Sequence, residues 1–163
     1  MKGYEPNLLE KLLDEDPRSN ATSGVSRTVS LEQYKDSVVR DLEGLLNSRA
    51  AFSEARLEAF PQCRRSMMTY GLEDFSGKSL ANAHDRAGIC RSLEQAIARH
   101  EPRLTSVRVS LHSTARNASS LHFAIHALLD LQPAREPISF DAMLQTSTQH
   151  YSISRARRIA SVA

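Results

Sequence analysis

The tetrad Glu101-Pro102-Arg103-Leu104 places a carboxylate and a guanidinium on either side of a proline. Proline fixes φ, donates no backbone hydrogen bond and pushes the residue before it toward an extended conformation, so a helix arriving from Ser79 should stop near His100. Glu101 and Arg103 then flank a bend whose shape varies little. The two charges can pair to hold the corner, or be offered together to another protein as a charged, hydrogen-bonding knob. An exposed corner pair contributes under ~1 kcal/mol, and spacing alone favours that first reading.

Other chemistries have less to stand on. His122 and His126 would share a helical face and suit a metal, but on a strand they lie about 13 Å apart, too far to hold one ion. No metal site and no cofactor is expected. Serine and threonine are abundant, yet no glycine-framed nucleophile turn and no glycine-rich phosphate loop is present. Cys63 and Cys90 lack any paired spacing that suggests zinc, and with no secretory leader ahead of them the expected setting is a reduced cytosol.

Composition bounds the rest. A chain of 163 residues fits one domain, and 21 basic against 19 acidic side chains leave no global field to recruit nucleic acid. The apolar run from Leu121 to Leu129 is far short of the ~20 residues that span a bilayer.

Positioning the tetrad falls to elements legible in the pattern. Leu8, Leu9, Leu12 and Leu13 form a short apolar stripe ahead of a polar tether through Thr28, which reads as a segment that docks on a partner or packs back on its own domain. Ser30 with Gln33 makes a capping box, and Leu31, Tyr34, Val38, Leu42, Leu45 and Leu46 recur on one helical face. A short apolar piece through Met67, Met68 and Tyr70 ends at Gly71, read as a left-handed helix cap. The second helix is predicted to start on a Ser79 cap and to bury Leu80, Ala83, Ala87, Cys90, Leu93 and Ile97. Beyond the corner the period drops to two at Val107, Val109 and Leu111, at Ile138 to Leu144 and at Tyr151 with Ile153; the run from Leu121 to Leu129 alternates too, and although aliphatics at 121, 125, 128 and 129 would also suit a helix, the preceding strand and short polar turn favour a hairpin. Helices followed by antiparallel strands predict an α+β fold. The expected organisation is an N-terminal extension over 1–28, a domain over 29–154 and a basic tail over 155–163.

The ordered set Asp41-Leu42, Leu45-Leu46-Asn47-Ser48-Arg49, Met67-Met68-Thr69-Tyr70-Gly71-Leu72, Asp74-Phe75-Ser76, Glu101-Pro102-Arg103 and Ile138-Ser139-Phe140-Asp141 resembles the TssE family. These are small baseplate subunits of bacterial type VI secretion systems, relatives of a phage tail baseplate wedge protein once labelled lysozyme-like. The resemblance covers about residues 31 to 153, and Leu8-Leu9-Glu10-Lys11-Leu12 looks like the leucine-rich opening of many such subunits. Glu73 departs from the pattern, standing where the family usually has proline.

The resemblance implies a structural, non-enzymatic role in the cytoplasm, at the inner face of the membrane through the baseplate. Its implied partners are the wedge subunits TssF, TssG and TssK and the sheath proteins TssB and TssC, whose interlocking strand domain the fold resembles. Glu101, Pro102 and Arg103 at the corner, Leu8, Leu9 and Leu12 in the stripe, and the terminal strand at Tyr151 and Ile153 are the candidate partner-binding residues. An unpaired strand edge there would suit strand addition. A phage-derived tail protein is the alternative within the class, and a peptidoglycan-cleaving enzyme the alternative outside it. Glycosidases need two carboxylates across one cleft, and only Glu101 and Asp141 sit in structured, partly apolar segments. Arg103 stands beside Glu101 and can hold its carboxylate in an ion pair, which takes it from the role of a general acid.

Overall fold

The capping box at Ser30 forms reciprocally in the computed structural model: the Ser30 N–H donates to Gln33 Oε1 at 2.9 Å and the Gln33 N–H donates to Ser30 Oγ at 3.2 Å. It opens helix α1 (Leu31–Asn47). The structure describes residues 4–5, 12, 28–75, 77–79, 82–112, 120–132 and 134–156. The chain divides into two units, Met1–Val38 and Val39–Ala163, and α1 runs from the first into the second.

In the first unit Tyr4 and Val29 exchange both backbone hydrogen bonds, at 3.0 and 2.8 Å, and the Tyr4 ring stacks on Tyr34 with centroids 5.3 Å apart. The N-terminal segment therefore packs back on the start of α1 at this point. Leu12 is helical and exposed. Leu8 and Leu9 lie outside the described residues.

The second unit is two helical segments followed by a four-stranded antiparallel sheet in the order β1-β2-β3-β4, an α+β arrangement. Helix α2 covers Ala83–His100, and the strands are β1 (Leu104–His112), β2 (Ser120–Asp130), β3 (Arg135–Gln145) and β4 (His150–Arg155). Register aligns the alternating apolar residues across the sheet. Val109, Ile125 and Phe140 form one row, and Leu111, Phe123, Ala142 and Ile153 form the next. The run from Leu121 to Leu129, which would also suit a helix, is a strand because its partners on both sides offer the same alternation. A bulge lies between Thr105 and Arg108, with Ser106 at φ 54°, and the extra residue lets Leu104 and Val107 both be buried although their spacing is odd. Leu42, Leu45 and Leu46 of α1 and Ile89, Leu93, Ala96 and Ile97 of α2 complete the buried apolar set.

Three local expectations are corrected. Helix α2 begins at Ala83 on an Asn82 cap, whose side chain accepts the His84 N–H at 2.9 Å; Ser79 instead gives its N–H to Asp85 Oδ2. Its buried face is accordingly rotated: Ala83 and Ala87 are exposed, Cys90 is half-buried and Ile89 takes the core position. The segment from Ser53 to Tyr70 holds three short 3₁₀ turns, Glu54–Leu57, Cys63–Arg65 and Met67–Thr69, and leaves Phe60 and Met67 exposed. Gly71, at φ +111°, caps no α-helix; it brings Leu72 alongside the end of α1.

Candidate partner-binding interface at the corner and the last strand

The corner begins where α2 runs out of backbone partners. Glu101 donates its N–H to Ile97 O at 2.8 Å and adopts φ −120°, ψ 82°, off the helix because Pro102 follows. Pro102 and Arg103 make the turn, Leu104 N–H closes on Glu101 O at 3.1 Å, and Arg103 O accepts the Asp130 N–H at 2.9 Å. This geometry folds the Arg103 side chain back on Glu101. Arg103 Nε donates to Glu101 Oε1 at 2.6 Å, Nη2 donates to Oε2 at 2.5 Å, and the Arg103 backbone N–H adds a third bond to Oε1 at 3.2 Å. Nη2 also donates to Asp41 Oδ2 of α1 at 2.5 Å.

Burial changes what this pair is. Glu101 is only 4 % exposed, while Pro102 is exposed and the Arg103 side chain is 17 % exposed. The expectation of a surface corner bridge is therefore corrected: a forked guanidinium neutralises a buried carboxylate. Burial by itself would lower the Arg103 pKa, but the hydrogen bonds and charges of Glu101 and then Asp41 outweigh it and hold the guanidinium above its ordinary value. The nearby Tyr70 hydroxyl is raised by burial first and by the Asp41 and Glu101 charges second. Asp41 was not singled out as a member of this cluster. Its sequence signals are its place in the ordered set that resembles the TssE family and its position beside the apolar stripe of α1, 62 residues from Arg103, and neither points to the corner.

The end of α1 is fixed to the last strand. Ser48 Oγ donates to Gly44 O at 2.8 Å, Leu72 N–H to Ser48 O at 2.9 Å and Ala50 N–H to Leu72 O at 3.0 Å. A Cβ on Gly71 would sit 2.6 Å from Ser48 O, so only glycine permits this approach. Held this way, Asn47 donates from Nδ2 to Tyr151 O and accepts the Tyr151 N–H on Oδ1, both at 2.8 Å. Arg49 Nη2 reaches Gln149 Oε1 at 3.1 Å in the turn before β4.

Those two bonds orient β4. Because the N–H and C=O of Tyr151 both point away from β3, the alternation of strand backbone turns those of Ile153 the same way. Among the described residues nothing meets them. The opposite edge of the sheet is partly occupied. On β1, Val107 O accepts from Arg108 Nη1 at 3.3 Å, the Val109 N–H donates to Glu94 Oε1 of α2 at 2.8 Å, and the Leu111 N–H faces the Cys90 sulfur. Arg108 of β1 and Glu94 of α2 thus occupy some of the groups through which β1 would add a strand.

Tyr151 and Ile153 project their side chains into the core, at 1 % and 8 % exposure, and with both Tyr151 backbone groups taken by Asn47 it is the Ile153 backbone that can be offered to a partner. Among the described residues the Tyr151 hydroxyl has no hydrogen-bond partner, and burial chiefly pushes it up to about 12. The histidines stay on the polar face of the sheet. His112 lies opposite His122 in register, His126 Nδ1 is 2.8 Å from Ser139 Oγ, and among the described residues no group of three or more His, Cys, Asp and Glu is placed to hold a metal ion. Asp141 is exposed on that polar face, whereas both Glu101 oxygens are engaged by Arg103. No helix of the described residues is long and apolar enough to cross a membrane.

Comparison with known families adds one finding. Residues 32–134, more than half of the chain, match the family model described as baseplate wedge protein gp25. No curated protein matches the chain.

Proposed function

Since the chain belongs to the baseplate wedge protein gp25 family, we propose that it is a structural wedge subunit of the TssE kind, which binds other wedge subunits and helps start a contractile sheath. It works by binding and turns nothing over. Its proposed partners are TssF, TssG and TssK in the wedge and TssB and TssC in the sheath, which puts it in the cytoplasm against the inner face of the membrane through the baseplate. The observation that carries this reading is a difference between the sheet edges: on β1 the Val109 N–H is taken by Glu94 of α2 and the Val107 carbonyl by Arg108, whereas on β4 no described residue meets the Ile153 N–H and C=O beyond the Asn47 contact. An open edge of that kind accepts an extended segment of a neighbouring chain, and strand addition of this sort propagates into ordered polymers.

The corner serves the other side of the assembly. Pro102 and the uncovered part of Arg103 are the surface a wedge partner meets, and Glu101 fixes the guanidinium behind them. Within the first unit, the leucine stripe with Leu8, Leu9 and Leu12 is a second docking segment.

Co-purification of the tagged full chain with TssF, TssG and TssK tests the proposal. Retention by the wild type, reduced in Pro102→Ser while its melting stays near wild type, is the expected result. Failure of the wild type to retain any wedge subunit sinks the secretion-system reading, and a neighbouring gene set for a phage tail would replace it. Cell-wall lysis by the purified chain that disappears in Glu101→Gln would overturn the structural role altogether.

A further inference from the structure

The Asn47 carboxamide offers Tyr151 one acceptor and one donor, the same pair that a residue of an adjacent strand would offer, and it satisfies both Tyr151 backbone groups at 2.8 Å. We propose that Asn47 is a register stop: it occupies the Tyr151 pairing position, so that an added strand makes its first complete pair of hydrogen bonds with Ile153 and continues toward Arg155. This rests on the reading of β4 as the receiving edge. The occupant is an extended segment of a partner chain that reads polar, apolar, polar. Its apolar residue lies opposite Ile153, which faces the core, and its polar residues lie beside the exposed Ser152 and Ser154.

A separate stop is needed because side-chain alternation rejects only half of the wrong registers. A slip of one residue turns every side chain of the added strand to the other face, but a slip of two residues keeps the faces and costs nothing in pattern. Sliding toward the start of β4 by two residues would move the pairing from Ile153 to Tyr151, the position Asn47 holds. The carboxamide is well placed to resist displacement. The Ser48–Leu72 and Ala50–Leu72 bonds fix the end of α1, and the Arg49–Gln149 contact fixes the same end against the β3–β4 turn.

Amide exchange by NMR on the isotope-labelled full chain, with and without a millimolar blocked peptide of sequence Thr-Val-Thr-Val-Thr, tests the stop. In the wild type the peptide should slow the Ile153 amide about tenfold, as one good hydrogen bond allows, and leave the Tyr151 amide and the Asn47 side-chain protons as protected as before. In Asn47→Ala the Tyr151 amide should exchange fast in the free protein and become protected by the peptide. Asn47→Asp, which keeps the acceptor for the Tyr151 N–H but frees the Tyr151 carbonyl, replaces the alanine variant where that one does not fold. Loss of Asn47 side-chain protection in the wild type on adding peptide would overturn the stop while leaving β4 the receiving edge. So would a Tyr151 amide that the peptide never protects in Asn47→Ala. An Ile153 amide unchanged by peptide in every protein would overturn the receiving edge itself.

Discussion

Removing Arg103 should cost this protein far more stability than an exposed corner charge would. In Arg103→Ala the Glu101 carboxylate, 4 % exposed, loses both side-chain bonds at 2.6 and 2.5 Å, and among the described residues no other cation is paired with it. Breaking one member out of a buried ion pair costs about 3–5 kcal/mol, because the surviving charge stays desolvated. For a chain of this size that is a fall of roughly 6–20 °C in Tm. Glu101→Gln keeps the shape but forfeits the charge, and should cost about 1.5–3 kcal/mol, the range for hydrogen bonds to a charged group. Asp41→Asn should cost under about 1 kcal/mol, since the Asp41 side chain is 35 % exposed and water screens its attraction to Arg103. The double change Glu101→Met with Arg103→Met should cost less than the two single changes added together, because no unpaired buried charge is left. Urea unfolding followed by circular dichroism, read as shifts in midpoint at constant slope, gives all six values, the two single methionine changes included. An Arg103→Ala cost under about 1 kcal/mol, no larger than that of Asp41→Asn, would refute the reasoning and return the corner to a surface bridge.

Gly71→Ala should destabilise by at least about 2 kcal/mol, since φ +111° is strained for alanine and the new Cβ would meet the Ser48 carbonyl; near-normal urea unfolding would contradict the clamp. Tyr151→Phe removes a buried hydroxyl that has no partner among the described residues, so its stability should match or exceed the wild type by up to about 1 kcal/mol in the same assay, and a loss would reveal a bond to that oxygen. The His100 pKa is lowered from 6.5 first by burial, against the opposing hydrogen bond to the Thr69 carbonyl. The unfolded chain therefore binds this proton more readily, so the contribution of the neutral ring is complete above pH 6.5 and is lost as pH falls below it; in His100→Gln the fall of the urea midpoint with acid should be shallower.

Much of the framework was legible because it rests on local spacing. The Ser30 and Gln33 capping box, the apolar face of α1, the end of α2 at His100 and the alternation of β1 to β4 each depend on residues within a few positions of one another, where backbone geometry leaves little choice. Proline at 102 dictated a corner for the same reason. What stands opposite a local element was not legible. The depth of Glu101 depends on how α1, α2 and β1 close over it, and its third partner, Asp41, lies 62 residues from Arg103. Asn47 reads in the sequence as the end of a helix, but its carboxamide acts as a strand residue only because the bridge at Leu72 sets it against Tyr151, 104 residues away. Gly71 likewise reads as a helix cap until Ser48 is packed against it. Periodicity assigns each side chain to a face; only the closed structure decides which buried charge finds a counter-ion and which strand edge stays open.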